Sequence, residues 1–321
     1  MAATEAPSPP PVPEILEREH RLRIPVGVIT LLTAALVVVS GVVPQAIYND
    51  FPHVFLIESL RDAAGQDIGR TGLKTAQILF YDDKAVPLLL VAVVQALVAA
   101  GMAVLLLFLL TAAYARGATT PRFTRPLVLV GAAATGLGAL LLQIGVMIRA
   151  HDFASLPPAE QTTQAAHDVL RSGIVVIASG IGGVGNIALA AGFVMVALGA
   201  MRVGLLTRFL GVLGAVVGVL LVLGPLSGSP SFIVQAAWLV FAGMLILGRW
   251  PRGVPAAWET GVAQPWPTQQ EIREQRERTR QGGRGPDAGL PAPEEPEEPE
   301  EPGSGPPRTP GAARKKRKRR G

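Results

Sequence analysis

Two His-Asp dipeptides, His151-Asp152 and His167-Asp168, lie 16 residues apart in one polar stretch, and His53 with Glu58 occupies another. Imidazole nitrogens and carboxylate oxygens are the donors of zinc and related divalent sites, with water in an open position. No His-x3-His or H-E-x-x-H spacing accompanies them, so solvated loop side chains are the favoured reading. A second constellation is uncharged: Gln95, Gln143, Asn186 and Gln235 come from four different apolar segments. Polar groups at membrane depth turn toward other helices, where they line a pathway or bridge neighbours by hydrogen bonds. Third, Gly180-Ile-Gly182-Gly-Val-Gly185 fits G-x-G-x-x-G. Dinucleotide binding needs that pattern between a strand and a helix, with an acidic residue about 20 positions later. Here the flanks are apolar and the next carboxylate is Glu259, so packing glycines explain it better. With no cysteine in the chain, disulfides, thiol catalysis and Cys-based metal sites are excluded. The residues therefore assign no catalytic, cofactor-binding or metal-binding position, and no cofactor.

The elements that would position these groups are plainer. Residues 24–49, 85–115, 126–148, 172–201 and 209–248 contain no Asp, Glu, Lys, Arg or His. Each exceeds the roughly 20 residues that a helix rising 1.5 Å per residue needs to cross ~30 Å of hydrocarbon. A backbone in lipid must satisfy its polar groups internally, so such runs read as spanning helices. The last run is interrupted by Gly224-Pro225-Leu-Ser-Gly-Ser-Pro230 and reads as two helices with a turn. The expectation is an all-α, polytopic transmembrane bundle of six helices, near 25–47, 86–113, 126–149, 172–200, 204–224 and 231–249. The domain plan is a charged N-terminal segment (1–23), the six-helix domain (24–250) and a Pro/Glu/Arg-rich tail (251–321), with both ends disordered. A secretory signal fails at the first run, which is too long and lacks a small-x-small cleavage site.

Short cytoplasmic loops carry excess Lys and Arg. Arg18, Arg21, Arg23, Arg116, Arg122, Arg125, Arg202, Arg208, Arg249 and Arg252 fall on one side, against Arg61, Arg70, Lys74, Lys84, Arg149 and Arg171 on the other. That asymmetry puts both termini in the cytoplasm and loops 50–84 and 150–171 outside, with Trp250 as an interfacial anchor. Hydrophobic residues make up 49% of the chain and charged ones 17%, so the net charge of +5 reflects topology and a basic tail rather than nucleic-acid binding. The tail holds a Glu-Glu-Pro repeat at 294–302 and the basic run Arg314-Lys-Lys-Arg-Lys-Arg-Arg320. Those seven cations are expected to meet the anionic lipids of the inner leaflet. In the second outer loop, Pro157-Pro158 signals a helix start, with Glu160, Gln164, His167 and Arg171 as one polar stripe.

Glycine recurs every seven residues at Gly131/Gly138/Gly145, Gly185/Gly192/Gly199 and Gly204/Gly211/Gly218, and Gly27/Ala34/Gly41 follows the same step. Seven residues return to nearly the same helix face, and small residues there let backbones approach in lipid. The short link Met201-Arg202-Val203 suggests that the second and third of these triples face each other.

The segment Arg202-Val-Gly-Leu-Leu-Thr-Arg208-Phe-Leu-Gly-Val-Leu-Gly214, with Leu247-Gly-Arg-Trp250-Pro-Arg-Gly and Ala257-Trp258-Glu, resembles uncharacterised polytopic membrane proteins of actinobacteria. More loosely it is similar to bacterial membrane domains of unknown function. The likeness is best over 170–267, and its motifs concern packing and interfaces. It implies a bacterial plasma-membrane protein without assigned activity. The functional expectation is a non-enzymatic membrane subunit or scaffold meeting other membrane proteins; the alternative is a small-molecule transporter or channel.

Overall fold

The computed structural model describes residues 12–52, 57, 60–61, 64–66, 73–227, 231–251, 253–266, 273–274 and 276–279. His53, Glu58, the Pro-rich start, the Glu-Glu-Pro repeat and the basic run ending at Arg320 lie outside the described residues. The chain divides after Trp266; in the second unit Arg273, Glu274 and 276–279 are helical.

The first unit is all-helical among its described residues: α1 (Val12–Tyr48), α2 (Leu73–Asp83), α3 (Ala85–Ala115), α4 (Thr124–Ala154), α5 (Thr163–Leu170), α6 (Gly173–Arg202), α7 (Arg208–Ser227), α8 (Ser231–Ile246) and α9 (Ala257–Thr260). Four helical stretches are long and apolar enough to cross a membrane: Val12–Tyr48, Ala85–Ala115, Thr124–Ala154 and Thr163–Arg202, the last taken through the break at Arg171-Ser172. α8 is shorter, its 16 residues reaching ~24 Å at 1.5 Å each. α7 carries Pro225 near its end yet stays helical to Ser227.

Antiparallel neighbours close into a ring. α1 packs on α3, α3 on α4, α4 on α6, α6 on α7, α7 on α8, and α8 returns to α1, with α3 also reaching α6 across the middle. Leu105, Leu106, Leu109 and Leu110 of α3, Leu189 and Phe193 of α6, and Trp238 and Leu239 of α8 fill that middle. Large apolar groups point outward instead, such as Val130 on α4 and Ile177 and Val184 on α6, all more than 60% exposed. A water-soluble monomer rarely bares so continuous an apolar surface, whereas lipid covers it without penalty.

Glycine sets the closest approach. A Cβ at Gly131 would stand 2.5 Å from the Leu189 amide nitrogen, one at Gly138 would run into the Gly182 backbone, and one at Gly145 would touch Ile174 at 3.4 Å. From the other side, Gly185 faces Ala134 and Thr135, Gly192 faces Val128 at 2.7 Å, and Gly199 faces Thr120. Each step of seven along α4 is matched by a step of seven back along α6. This corrects the expected partnership, because the α6 glycines meet α4 and, at Gly199, the turn that leads into it, and not α7. α7 brings Gly211, Gly214 and Gly218 against Met201, Ala197 and Val194, a different face of α6. Gly204 is not helical at all: its φ of +79° is left-handed and its missing side chain makes room for the Gln264 carbonyl.

Two starts also differ from expectation. α1 begins at Val12, so the charged lead-in is part of the helix and Pro25 lies inside it. α5 begins at Thr163, capped by Thr162 Oγ1 accepting from the Ala165 amide at 3.2 Å, which leaves Glu160 outside the stripe. A side-chain acceptor satisfies an orphan amide there, where the earlier prolines offer none.

Candidate functional site

Three of the helices that end at the arginine-rich pole stop in the same way. Gly117, Gly204 and Gly248 each take a φ between +74° and +79° one residue past their helix cap. Around Gly117 the Ala118 amide donates to the Ala113 carbonyl and the Gly117 amide to Tyr114; Leu205/Gly204 and Arg249/Gly248 repeat the pattern. This left-handed termination satisfies the last carbonyls and aims the following residue sharply away. It fixes Arg116 at the end of α3, the 203–207 turn beneath α6, and Trp250 beyond α8.

Those three corners converge with the start of α1 on one buried cluster. Arg116, its side chain fully buried, holds Glu19 in a fork, with Nη1 and Nη2 donating to Oε1 and Oε2 at 2.5 and 2.8 Å. Its Nε donates to the Ala257 carbonyl at 2.9 Å, and Nη1 also reaches Ala112 at 3.0 Å. Trp258 completes the centre. Its indole Nε1 donates to the Leu205 carbonyl at 2.8 Å, its ring stacks on Phe108 at 5.7 Å, and the Arg116 and Arg23 guanidiniums stand 5.4 and 5.1 Å from its centroid. Arg23 Nε donates to the Ile246 carbonyl at 3.0 Å, while its buried Nη2 finds no acceptor.

The arrangement ties α1, α3, the α6–α7 turn and the α9 segment into one node. Both Glu19 oxygens are engaged by Arg116, so the carboxylate is an ion-pair partner rather than a poised base. Residues 253–266 thus belong with the helices: Trp258 is buried, and Trp266 Nε1 donates to Leu206 at 3.0 Å. The compact unit that holds the helices runs on to Trp266. Nothing in the sequence announced the Glu19–Arg116 pair, whose members are 97 positions apart. A faint signal was the Glu19/Arg23 spacing of four, which puts both on one helix face.

The polar residues of the apolar segments go separate ways. Asn186 Nδ2 donates to the Leu221 carbonyl at 2.7 Å, joining α6 to α7. Gln235 Nε2 reaches Met102 Sδ at 3.1 Å, joining α8 to α3. Gln95 is exposed on α3, and Gln143 has a buried Nε2 without an acceptor. Gly180 and Gly183 of the G-x-G-x-x-G run face open space, while Gly182 and Gly185 pack on α4, all inside a helix.

At the opposite pole α2, α4 and α5 share a small core of Ile78, Ala150, Phe153, Ala166 and Val169. His151 pairs not with a His-Asp partner but with Asp82 of α2, Nδ1 to Oδ1 at 3.2 Å. Asp168 accepts from Gln164 on the same short helix at 3.3 Å. Among the described residues no three acid or imidazole side chains come together as a metal-binding group. Comparison with protein-family models, curated proteins and solved structures finds no match to this chain.

Proposed function

We propose that this chain is a six-helix integral protein of a bacterial plasma membrane, with both termini cytoplasmic, acting as a non-enzymatic subunit or scaffold. The observation that carries the reading is how the interior is used. Fully buried Leu105, Leu106, Leu109, Phe193 and Trp238 fill the middle of the ring, and Asn186 and Gln235 serve as bridges between helices. α7 and α8 continue the up-and-down order of the ring, which supports counting them as spans five and six. The bacterial membrane follows from the resemblance over 170–267, and the orientation from the gathering of Glu19, Arg23, Arg116 and Trp258 at the arginine-rich pole.

That node holds the root of a tail with 14 basic and 11 acidic residues over 251–321. A charged segment joined to a helical membrane unit suits assembly with other membrane proteins, and Arg314 to Arg320 suit anionic headgroups. A photo-cross-linker at exposed Gln66, and another in the tail, should give discrete adducts with membrane proteins in native membranes. The transport alternative draws on Gln143, a buried donor without an acceptor. Absence of adducts from both positions, with solute uptake by liposomes containing the protein, would transfer the assignment to a transporter.

A further inference from the structure

Beside the buried node, on the outer surface of the same pole, lies an open groove of about 720 Å3 that the node does not use. Its walls come from two places in the chain: Thr207, Arg208 and Phe209 at the start of α7, and Trp250, Val254 and Trp266 from the segment after α8. The volume falls in the range of ligand sites, roughly 300–1,000 Å3. We propose that this groove is a binding site for the headgroup and upper acyl chain of an anionic phospholipid.

Four observations point to that occupant. Arg208 places a guanidinium in the wall. Exposed Arg249 adjoins Trp250 at the same level. The aromatic side is held in place: Phe209 meets Phe241 at 6.3 Å, Phe241 meets Trp250 at 6.1 Å, and Trp266 is anchored by its bond to the Leu206 carbonyl. Amphipathic rings are the residues that sit at headgroup depth. Finally, the groove opens onto a continuous apolar stripe, because Phe209, Val212, Val216, Val219 and Leu223 are each 45–58% exposed along one side of α7. A phosphate beside Arg208 would place its chain on that stripe. A soluble anion would use only the first of these features, and a peptide would leave the stripe empty.

The test uses the full chain in phosphatidylcholine bilayers containing a small fixed fraction of acyl-dibrominated lipid. Trp238 and Trp258 are buried, so lipid quenching of tryptophan fluorescence reports chiefly on Trp250 and Trp266. Brominated phosphatidylglycerol should quench more strongly than brominated phosphatidylcholine at equal mole fraction. Arg208→Gln should cut the relative affinity about fivefold, the factor that one basic side chain contributes at an anionic surface. Ala256→Glu, at an exposed lining position, should do the same with Arg208 intact. Replacing all seven cations of 314–320 by glutamine should leave the preference in place. Equal quenching by the two lipids overturns the proposal, as does a preference that survives both groove variants or disappears with the tail cations. Displacement by millimolar glycerol phosphate would point to a soluble ligand instead. No quenching by either lipid would count against membrane insertion itself, and the site with it.

Discussion

Glu19 owes its burial to one partner, and that makes it the most sensitive acidic position in the described chain. Its carboxylate is 9% exposed and takes both bonds of the Arg116 fork. Removing one member of such a pair strands the other charge, at a cost of about 3–5 kcal/mol. Glu19→Gln and Arg116→Gln should therefore each lower the melting temperature in detergent by several degrees. The double replacement Glu19→Leu with Arg116→Met should cost less than either, because no uncompensated charge remains. If the double variant melts no higher than the singles, Arg116's bonds to Ala257 and Ala112, and not the ion pair, are what hold this corner. Trp258→Phe keeps a ring against Phe108 but loses the donor to Leu205, for a loss of about 1 kcal/mol. Read along the chain, Trp258 is a tryptophan in the stretch expected to be a disordered tail. Its burial depends on Arg116 and Leu205, residues that only the fold brings near, so no local pattern could reveal it.

At the scale of helices, the period of seven was legible and its partners were not. A small stripe says that a face approaches something closely; it does not say which helix that something is. α6 carries two such faces, Gly185/Gly192/Gly199 toward α4 and Ala190/Val194/Ala197 toward α7, and only the first is written in glycine. Gly204 joined the period by coincidence, since its spacing to Gly211 is seven but its work is a left-handed helix stop. The distinction can be measured. Gly185→Ala places a methyl 2.5 Å from the Thr135 amide nitrogen, backbone that cannot step aside, and should destabilise by about 1–3 kcal/mol. Gly183→Ala, two residues away and facing open space, should be neutral or stabilising, because alanine favours helix by up to ~1 kcal/mol. Gly211→Leu should resemble Gly185→Ala, as its side chain would meet Met201 Cβ at 2.6 Å. Equal melting temperatures for Gly183→Ala and Gly185→Ala would mean that the α4–α6 contact is looser than this geometry.

For the molecule as a whole, the decisive quantity is which pole faces the cytoplasm. The ring and its outward apolar side chains make a body suited to lipid, but apolar side chains give no direction. Charge breaks that symmetry. Glu19, Arg23 and Arg116 cluster at one pole, with Arg202, Arg208 and Arg249 at or just beyond the ends of α6, α7 and α8, while Asp82 of α2, His151 at the end of α4 and Asp168 of α5 lie at the other. A pole rich in arginine is retained on the cytoplasmic side. The chain is free of cysteine, so single introduced thiols can report directly. Gln66 and Glu160 are exposed at one pole and Thr119 at the other. In intact cells, Gln66→Cys and Glu160→Cys should react with a membrane-impermeant maleimide. Thr119→Cys should react only after permeabilisation. The two outer positions test different parts of the ring, since Gln66 follows α1 and Glu160 lies between α4 and α5. Labelling of Thr119→Cys alone would invert the orientation. Labelling of Gln66→Cys without Glu160→Cys would mean that α3 and α4 do not both cross, and the six-span arrangement would give way to a smaller one.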